Sequence, residues 1–538
     1  MTAMNKFLTI TLAAVLCLNA RAQDLNPEVR VTNEYETRMS EVRKSSLVMS
    51  VPDSLTSFST AIDYSVFPTD YKGAYEFVPY FMEVVPEAAQ FDGNRFYLKA
   101  GAGYSFHPTL RLVYTPFLQG LVRAGAYASL DGYAGRYQSL DDLADYTGYN
   151  YSFKSGVNMR ANANHFDFAG NLSYNGIYAD DFSKLSKFHN VTLDARFASN
   201  DGDAPVVYSG KASVFYSRNN FESKTTSAIA PLSEAGVTLS GSLTTLRSGS
   251  FALRADMGFD GSFSNLYDSQ FSVQLAPKAV FNWDFASLQA GFRVAFGSRF
   301  GIFPDVHAST MFGGNALKLY LDLGGGQKVW GYTAMKNLSR WLSPRFLELY
   351  GTAVSAEALN ALLGLRGMIA GRLQYDLSAS GIIHDRGLVN GILNAPIPGR
   401  ILPNINYQSY KEAFVNLKLN WESRRLSADA DAKYRISDLP GDNFWFDLPS
   451  FEGKFGVMYN WNGRIFAGTT LNVRGVRHSA VLTLPAYCDW GINAEYDFPG
   501  ALALWAKVGN LLGQQIANSP THVESGVYFT AGIILKLK

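Results

Sequence analysis

Residues 426–436 read LSADADAKYRI, with Asp429, Asp431, Lys433 and Arg435 each separated from the next by one apolar residue. A helix advances about 100° per residue and would scatter these charges around its circumference. A strand alternates faces, so it puts all four on one side and Ala428, Ala430, Ala432, Tyr434 and Ile436 on the other. The spacing predicts a strand with one charged and one apolar face.

The same pattern recurs. NVTLDARF (190–197) sets Asp194 and Arg196 against Val191, Leu193 and Phe197. FALRADMGFD (251–260) sets Arg254 and Asp256 against Leu253, Ala255 and Met257, and FVNLKLNW (414–421) sets Asn416 and Lys418 against Val415 and Leu417. Alternation of this kind suits both a soluble sandwich and a membrane barrel.

The start of the chain favours the barrel. Lys6, the apolar FLTITLAAVLCL (7–18) and Ala20-Arg21-Ala22 have the order of a secretory signal peptide, which predicts export and a mature start at Gln23. Cleavage there removes Cys17 and leaves Cys488, so no disulfide framework is expected. No apolar run beyond residue 22 reaches the roughly 18 residues of a spanning helix. Aromatic residues make up 14% of the chain and charged residues 17%, and many aromatics sit near the ends of the alternating segments, where interfacial girdles belong. A net charge of +1 argues against nucleic acid or another polyanionic polymer as partner.

Turns and loops point the same way. Short connections such as WNGR (461–464), SGS (248–250) and HPT (107–109) alternate with longer ones, SLDDLADYTG (139–148), NDGDAP (200–205), SKTTSAIAPLSE (223–234) and DRGLVNGILNAPIPGR (385–400). This predicts an all-β, transmembrane antiparallel barrel of about 16–22 strands over residues 95–538, with 1–22 as signal peptide and 23–94 as a periplasmic N-terminal segment. Asp429, Asp431, Lys433, Arg435, Asp194, Arg196, Arg254, Asp256, Asn416 and Lys418 are the expected lumen-lining residues, since a charge on the lipid face near mid-membrane costs about 2–4 kcal/mol.

Several stretches carry a family resemblance. DWGINAEYDFPGALALWAKVGNLLGQQIANSP and GVYFTAGIILKLK, both within 489–538, resemble the closing strands of TonB-dependent receptor barrels. GGGQKVWGYTAMKNLSRWLSP (324–344) with ALLGLRGMIAGRLQYDLSAS (361–380) resembles the plugless TonB-receptor-like outer-membrane barrels of Bacteroidota, as do VRVTNEYETRMSE (29–41), IDYSVFPTDYKGAYEFVP (62–79) and FYLKAGAGYSFHPTLRLVYTP (96–116). The resemblance implies an outer-membrane location and transport or binding of a small solute. The chain departs from the full receptors in two ways. Residues 23–94 are too short for their plug, and Leu537-Lys538 stands where many barrels end on an aromatic residue. VRVTNEY (29–35) suits either a TonB contact or an ordinary periplasmic strand.

Catalysis finds little support. The histidines at 107, 165, 189, 307, 384, 478 and 522 have no zinc-protease spacing, and one remaining cysteine builds no metal site. His384-Asp385-Arg386 reads as the start of a polar outer loop. Gly324-Gly325-Gly326-Gln327-Lys328 lacks both the spacing of a phosphate loop and an expected following helix. Asp141, Asp142 and Asp145, or Asp201 and Asp203, are acidic loop groups without an EF-hand ligand series. The expectation is therefore no enzyme and no cofactor. Three readings remain: a nutrient-passing or nutrient-binding barrel in outer-membrane lipid, a structural barrel that docks envelope proteins through 23–94 and its outer loops, and, least supported for want of a Ser/His/Asp constellation, an outer-membrane hydrolase on a barrel scaffold.

Overall fold

In a computed structural model of the chain, the described residues are 95–538 without 118–120, 139–144, 164, 182–183, 201–203, 224–230, 313–316, 339–353, 392–403, 440–448, 479–482, 520–521, 525 and 538. The expectations for residues 1–22 and 23–94 lie outside the described residues, as do those for Asp141, Asp142, Asp201 and Asp203.

Twenty-two antiparallel strands form one closed sheet. In chain order they begin with β1 (Phe96–Tyr104), β2 (Thr109–Phe117), β3 (Val122–Tyr137), β4 (Tyr146–Asn162), β5 (Phe166–Asp181), β6 (Lys184–Ser199), β7 (Val207–Ser223) and β8 (Leu232–Ser248). They continue with β9 (Phe251–Ser264), β10 (Gln270–Asn282), β11 (Ala286–Gly297), β12 (Gly301–Phe312), β13 (Leu317–Val329), β14 (Val354–Ile369) and β15 (Leu373–Gly391). The remaining wall is β16 (Asn404–Glu422), β17 (Leu426–Ser437), β18 (Phe451–Trp461), β19 (Ile465–Arg474), β22 (Tyr487–Asp497), β23 (Leu502–Gly509) and β26 (Tyr528–Leu537). Two small hairpins, β20 (Arg477–His478) with β21 (Thr483–Leu484) and β24 (Ile516–Ser519) with β25 (His522–Glu524), stand in the connections around β22 and β23.

Each strand pairs with the next, and β26 pairs with β1 from Phe96↔Leu537 to Tyr104↔Phe529. Closure leaves no sheet edge, so the strands satisfy one another's backbone groups all the way round. The four alternating segments all lie in strands: 190–197 in β6, 251–260 in β9, 414–421 in β16 and 426–436 in β17. The turn Asn510-Leu511 before the last hairpin is held by Asn510, whose side chain donates to Gln514 O at 2.7 Å and Gly526 O at 3.0 Å.

Antiparallel order assigns every connection to one of two ends, and here two expectations are corrected. NDGDAP (200–205) falls between β6 and β7, at the same end as the SGS and WNGR turns, while HPT (107–109) falls between β1 and β2 at the opposite, long-loop end. Length alone misassigned them, because parity of strand count decides the end. His384-Asp385-Arg386 is also corrected: it belongs to β15, where the register to β16 shifts between His384 and Gly387, a bulge rather than a loop. Residues 385–391 of the predicted outer loop are likewise strand. A helix does follow the glycine run: α1 (Tyr332–Leu338) leaves β13 after a register shift between Gly324 and Gly326.

The two faces differ as the alternation requires. Leu172, Leu193, Val214, Leu239, Met257 and Leu363 are exposed on one face, with Leu193 at 53%. The other face carries the polar partners and receives α1, so it is the inner one. Leu193→Arg is therefore expected to lower insertion of the refolded chain into liposomes, at a cost of about 2–4 kcal/mol, whereas Lys418→Leu should insert like the parent. Heat-dependent gel mobility reads the folded fraction, and equal yields would reverse the faces.

Candidate functional site

The inner face of the barrel gathers its polar groups into separate sectors. Among the described residues the deepest is on β9–β13. Arg254 Nε lies 2.8 Å from Asp256 Oδ1, and Lys278 Nζ bridges Asp256 Oδ2 and Asp305 Oδ1 at 2.9 Å each. Arg293 Nη2 reaches Asp305 Oδ2 at 3.0 Å. His307 lies between Asp305 and Asp322 at 2.8 and 2.7 Å. Lys278 and Asp305 are on strands separated by β11, and the rung between them is Gly291. A Cβ on Gly291 would sit 2.1 Å from Pro277 O, so a side chain would have no room there. Its absence leaves a clear path from lysine to carboxylate.

A second sector lies on β15–β17. Arg435 Nε is 3.4 Å from Glu412 Oε2, and His384 Nε2 is 3.1 Å from Glu412 Oε1 with its ring stacked on Tyr410 at 4.2 Å. Lys433 Nζ lies 4.1 Å over the Phe414 ring, and Lys418 Nζ is 3.9 Å from Asp431 Oδ2. Asn416, with its amide turned so that the nitrogen faces the acceptors, reaches Asp431 Oδ1 at 3.1 Å. Asp429 pairs in register with Asn420.

The third sector is an open hollow of 810 Å³ against β2–β8, whose lining includes Arg123, Arg160, Asp194, Arg196 and Lys211. Asp194 accepts from Asn171 Nδ2 at 3.4 Å, and Asn171 accepts from the Tyr127 hydroxyl at 3.3 Å.

The long-loop end is crossed from within. Following the bulge on β13, α1 packs against the inner wall of β5–β9. Tyr332 and Met335 form an apolar cluster with Ile177, Phe188 and Leu232, and Leu388 of β15 and Tyr407 of β16 pack against it from another part of the wall. Buried polar contacts anchor the helix. Glu234, 1% exposed, accepts from the Thr333 backbone N–H at 2.7 Å, from Thr333 Oγ1 at 2.6 Å and from Ser262 Oγ at 2.6 Å. Ser217 Oγ meets Thr333 Oγ1 at 2.6 Å, Asn219 donates to the Tyr332 hydroxyl, and Tyr332 N–H donates to Tyr267 at 3.1 Å. A Cβ on Gly331 would lie 1.9 Å from Glu234 Oε1, so glycine is what lets the chain approach this acid.

The ten residues singled out from sequence thus fall into three places. Arg254 and Asp256 join the β9–β13 network, Asp194 and Arg196 line the hollow, and the other six lie on β16 and β17. Sequence reasoning missed Lys278, Asp305, His307, Arg123, Arg160 and Lys211, although each sits at an alternating position of its strand. It also missed Glu234, whose partner Thr333 is remote in the chain. Asp145, from the acidic loop, is paired with Arg136 at 2.9 Å, and no group of three or more potential metal ligands occurs among the described residues.

No protein-family model matches the sequence, and no curated protein does. Solved structures share its barrel. The FrpB iron transporter from Neisseria meningitidis superposes with a TM-score of 0.61 at 8% identity, over 82% of this chain and 82% of that one. The siderophore receptor PirA from Acinetobacter baumannii gives 0.59 at 10% identity, over 82% and 80%. The copper transporter OprC gives 0.54 at 14% identity, over 83% and 80%. At these identities the likeness is one of fold.

Proposed function

We propose that this protein is an outer-membrane barrel that binds or passes a small nutrient, related in design to TonB-dependent receptors, with no catalytic role. The observation that carries this is the closed 22-strand sheet with an apolar outer face and a charged inner face that keeps an 810 Å³ hollow. Receptors and transporters of siderophores, iron and copper share that barrel, which supports the solute-handling reading. The apolar outer face suits lipid, and the short-turn end is assigned to the periplasm as in other outer-membrane barrels.

A second reading is a barrel that docks envelope proteins, through residues 23–94 and its outer loops. It is favoured by α1, which with its apolar cluster occupies part of the long-loop end of the lumen. Single-channel recording of the refolded full chain in a planar bilayer separates the two. Conductance, or its appearance when a solute is added, supports the first. Silence both for the parent and for a variant lacking 332–338 would sink it and favour docking.

A further inference from the structure

Along β9–β12 the outward strand positions carry no ionisable side chain, as a lipid-facing wall requires. The wall of β5–β7 departs from this toward the long-loop end. Val191 and Leu193 of β6 and Val214 and Tyr216 of β7 are exposed on the outer face, and the same parity puts Lys187, His189 and Arg218 there too. His189 lies directly opposite Arg218, and Lys187 opposite Asn220, so Lys187 and Arg218 are diagonal neighbours about 7–8 Å apart. Lys187 and Phe197 are ten residues apart on β6, and the Phe197 ring meets Tyr208 at 6.3 Å at the short-turn end. At about 3.4 Å per residue and a strand tilt of about 40°, ten residues rise about 26 Å, the height of an apolar band. Lys187, His189 and Arg218 therefore stand at the far lipid interface, beside Tyr174, Tyr178 and Tyr216.

We propose that this outward patch binds the phosphorylated headgroup of a lipid in the outer leaflet. The proposal goes beyond solute handling and rests only on the placement of the outer face in lipid. Charge here is sorted by height. Asp180 and Glu222 take the next outward positions toward the loops, on either side of Leu185 and both diagonal to Lys187, so Lys187 has acidic neighbours. Arg218 lies four residues nearer the apolar band than Glu222 on β7. It is exposed, and its Nε donates to the neutral Asn220 side chain at 3.2 Å. His189 is fixed opposite it. The Tyr174 hydroxyl meets His189 Nδ1 at 2.7 Å and the Tyr178 hydroxyl at 2.9 Å, and the Tyr178 ring stands edge-on to the imidazole at 5.5 Å. Height, rather than net charge, selects the ligand. A cation at the edge of the apolar band meets the anionic headgroups of the membrane surface, and a guanidinium holds phosphate oxygens in paired hydrogen bonds. Arginine alone at an interface costs little and would need no ligand. The fixed imidazole opposite and the diagonal lysine turn one tolerated cation into a cluster of donors on adjacent strands. Acyl chains of the same lipid would lie over Val191, Leu193 and Val214 below it.

The test is native mass spectrometry of the refolded full chain in detergent with diphosphoryl lipid A, with the same lipid after removal of its phosphates, and with inorganic phosphate as competitor. The phosphorylated lipid should be retained at least ~10-fold better than the dephosphorylated one, and inorganic phosphate at equal concentration should not displace it. Arg218→Gln should lower retention at least ~10-fold. Lys418→Gln, which removes an inner-face cation from β16, should change it less than about twofold. Heat-dependent gel mobility checks that both variants fold, and the comparison of the two lipids needs no variant at all. Equal retention of the two lipids would overturn the proposal, leaving the aromatic girdle to hold acyl chains. So would displacement by inorganic phosphate, retention by Arg218→Gln equal to the parent's, or a dimer of the parent that Arg218→Gln abolishes, which would make the patch a protein contact. Because the measurement requires no passage of solute, a barrel that is silent in a bilayer can still bind the lipid, and a conducting one can still fail to.

Discussion

Replacing Glu234 with alanine is expected to loosen α1 and open the long-loop end of the barrel. The helix has seven residues, far fewer than a helix needs to persist alone, so its place depends on contacts with the wall. Two of those contacts, from the Thr333 N–H and hydroxyl, end on the buried Glu234 carboxylate. Hydrogen bonds to a charged group contribute about 1.5–3 kcal/mol each. Their loss, partly offset by water entering the site, should reduce docking by about 3 kcal/mol, roughly 100-fold in the docked-to-released ratio. Tyr332 and Met335 still hold the helix through the apolar cluster, so Glu234→Ala with Tyr332→Ala should release it further. The readout is longer or larger openings in bilayer recordings and faster proteolysis within 332–338. A disulfide provides the reverse: Ser217→Cys with Thr333→Cys, added to Glu234→Ala in a Cys488→Ser background, should hold α1 in place when oxidised and restore the looser behaviour of the alanine variant when reduced. If the alanine variant matches the parent in both openings and proteolysis, α1 is not held by Glu234.

Asp305→Ala is expected to cause the largest loss of stability from a single inner-face substitution. Asp305 is 1% exposed and has Lys278, Arg293 and His307 within 3.0 Å. Removing it leaves Lys278, itself buried, with Asp256 as its remaining acid in this network, and leaves Arg293 without its carboxylate. Breaking a buried ion pair from one side costs about 3–5 kcal/mol, because the surviving charge stays desolvated. Urea unfolding of the refolded barrel in detergent should show this as a lower midpoint. Adding Lys278→Met to Asp305→Ala should recover part of the loss, since it removes a stranded charge. An unchanged midpoint for Asp305→Ala would mean that water reaches this network freely.

Much of the barrel is legible in short windows of sequence. LSADADAKYRI, NVTLDARF and FALRADMGFD each declare a strand and its two faces, because the pleat sets a two-residue period without reference to any partner. The pairing of Lys418 with Asp431 also follows from neighbouring strands, joined by a three-residue turn. Other features have no local signature. The segment that becomes α1 is too short for helical periodicity to stand out, and it is stabilised by Glu234 and Ser217 from distant strands. The Lys278–Asp305 bridge requires knowing that Gly291 falls on the rung between them. The ends to which NDGDAP and HPT belong follow from strand parity, which a single miscounted strand reverses.

By itself, then, the sequence determined where strands run and which side of each is apolar, since both follow from backbone geometry and the cost of placing charge in lipid. Only the tertiary structure decided how many strands close the sheet, that a helix crosses the inside, and which inner charges neutralise one another. Those outcomes depend on register accumulated from strand to strand, and that register brings Arg123, Arg160, Arg196 and Lys211, far apart in the chain, onto one rung.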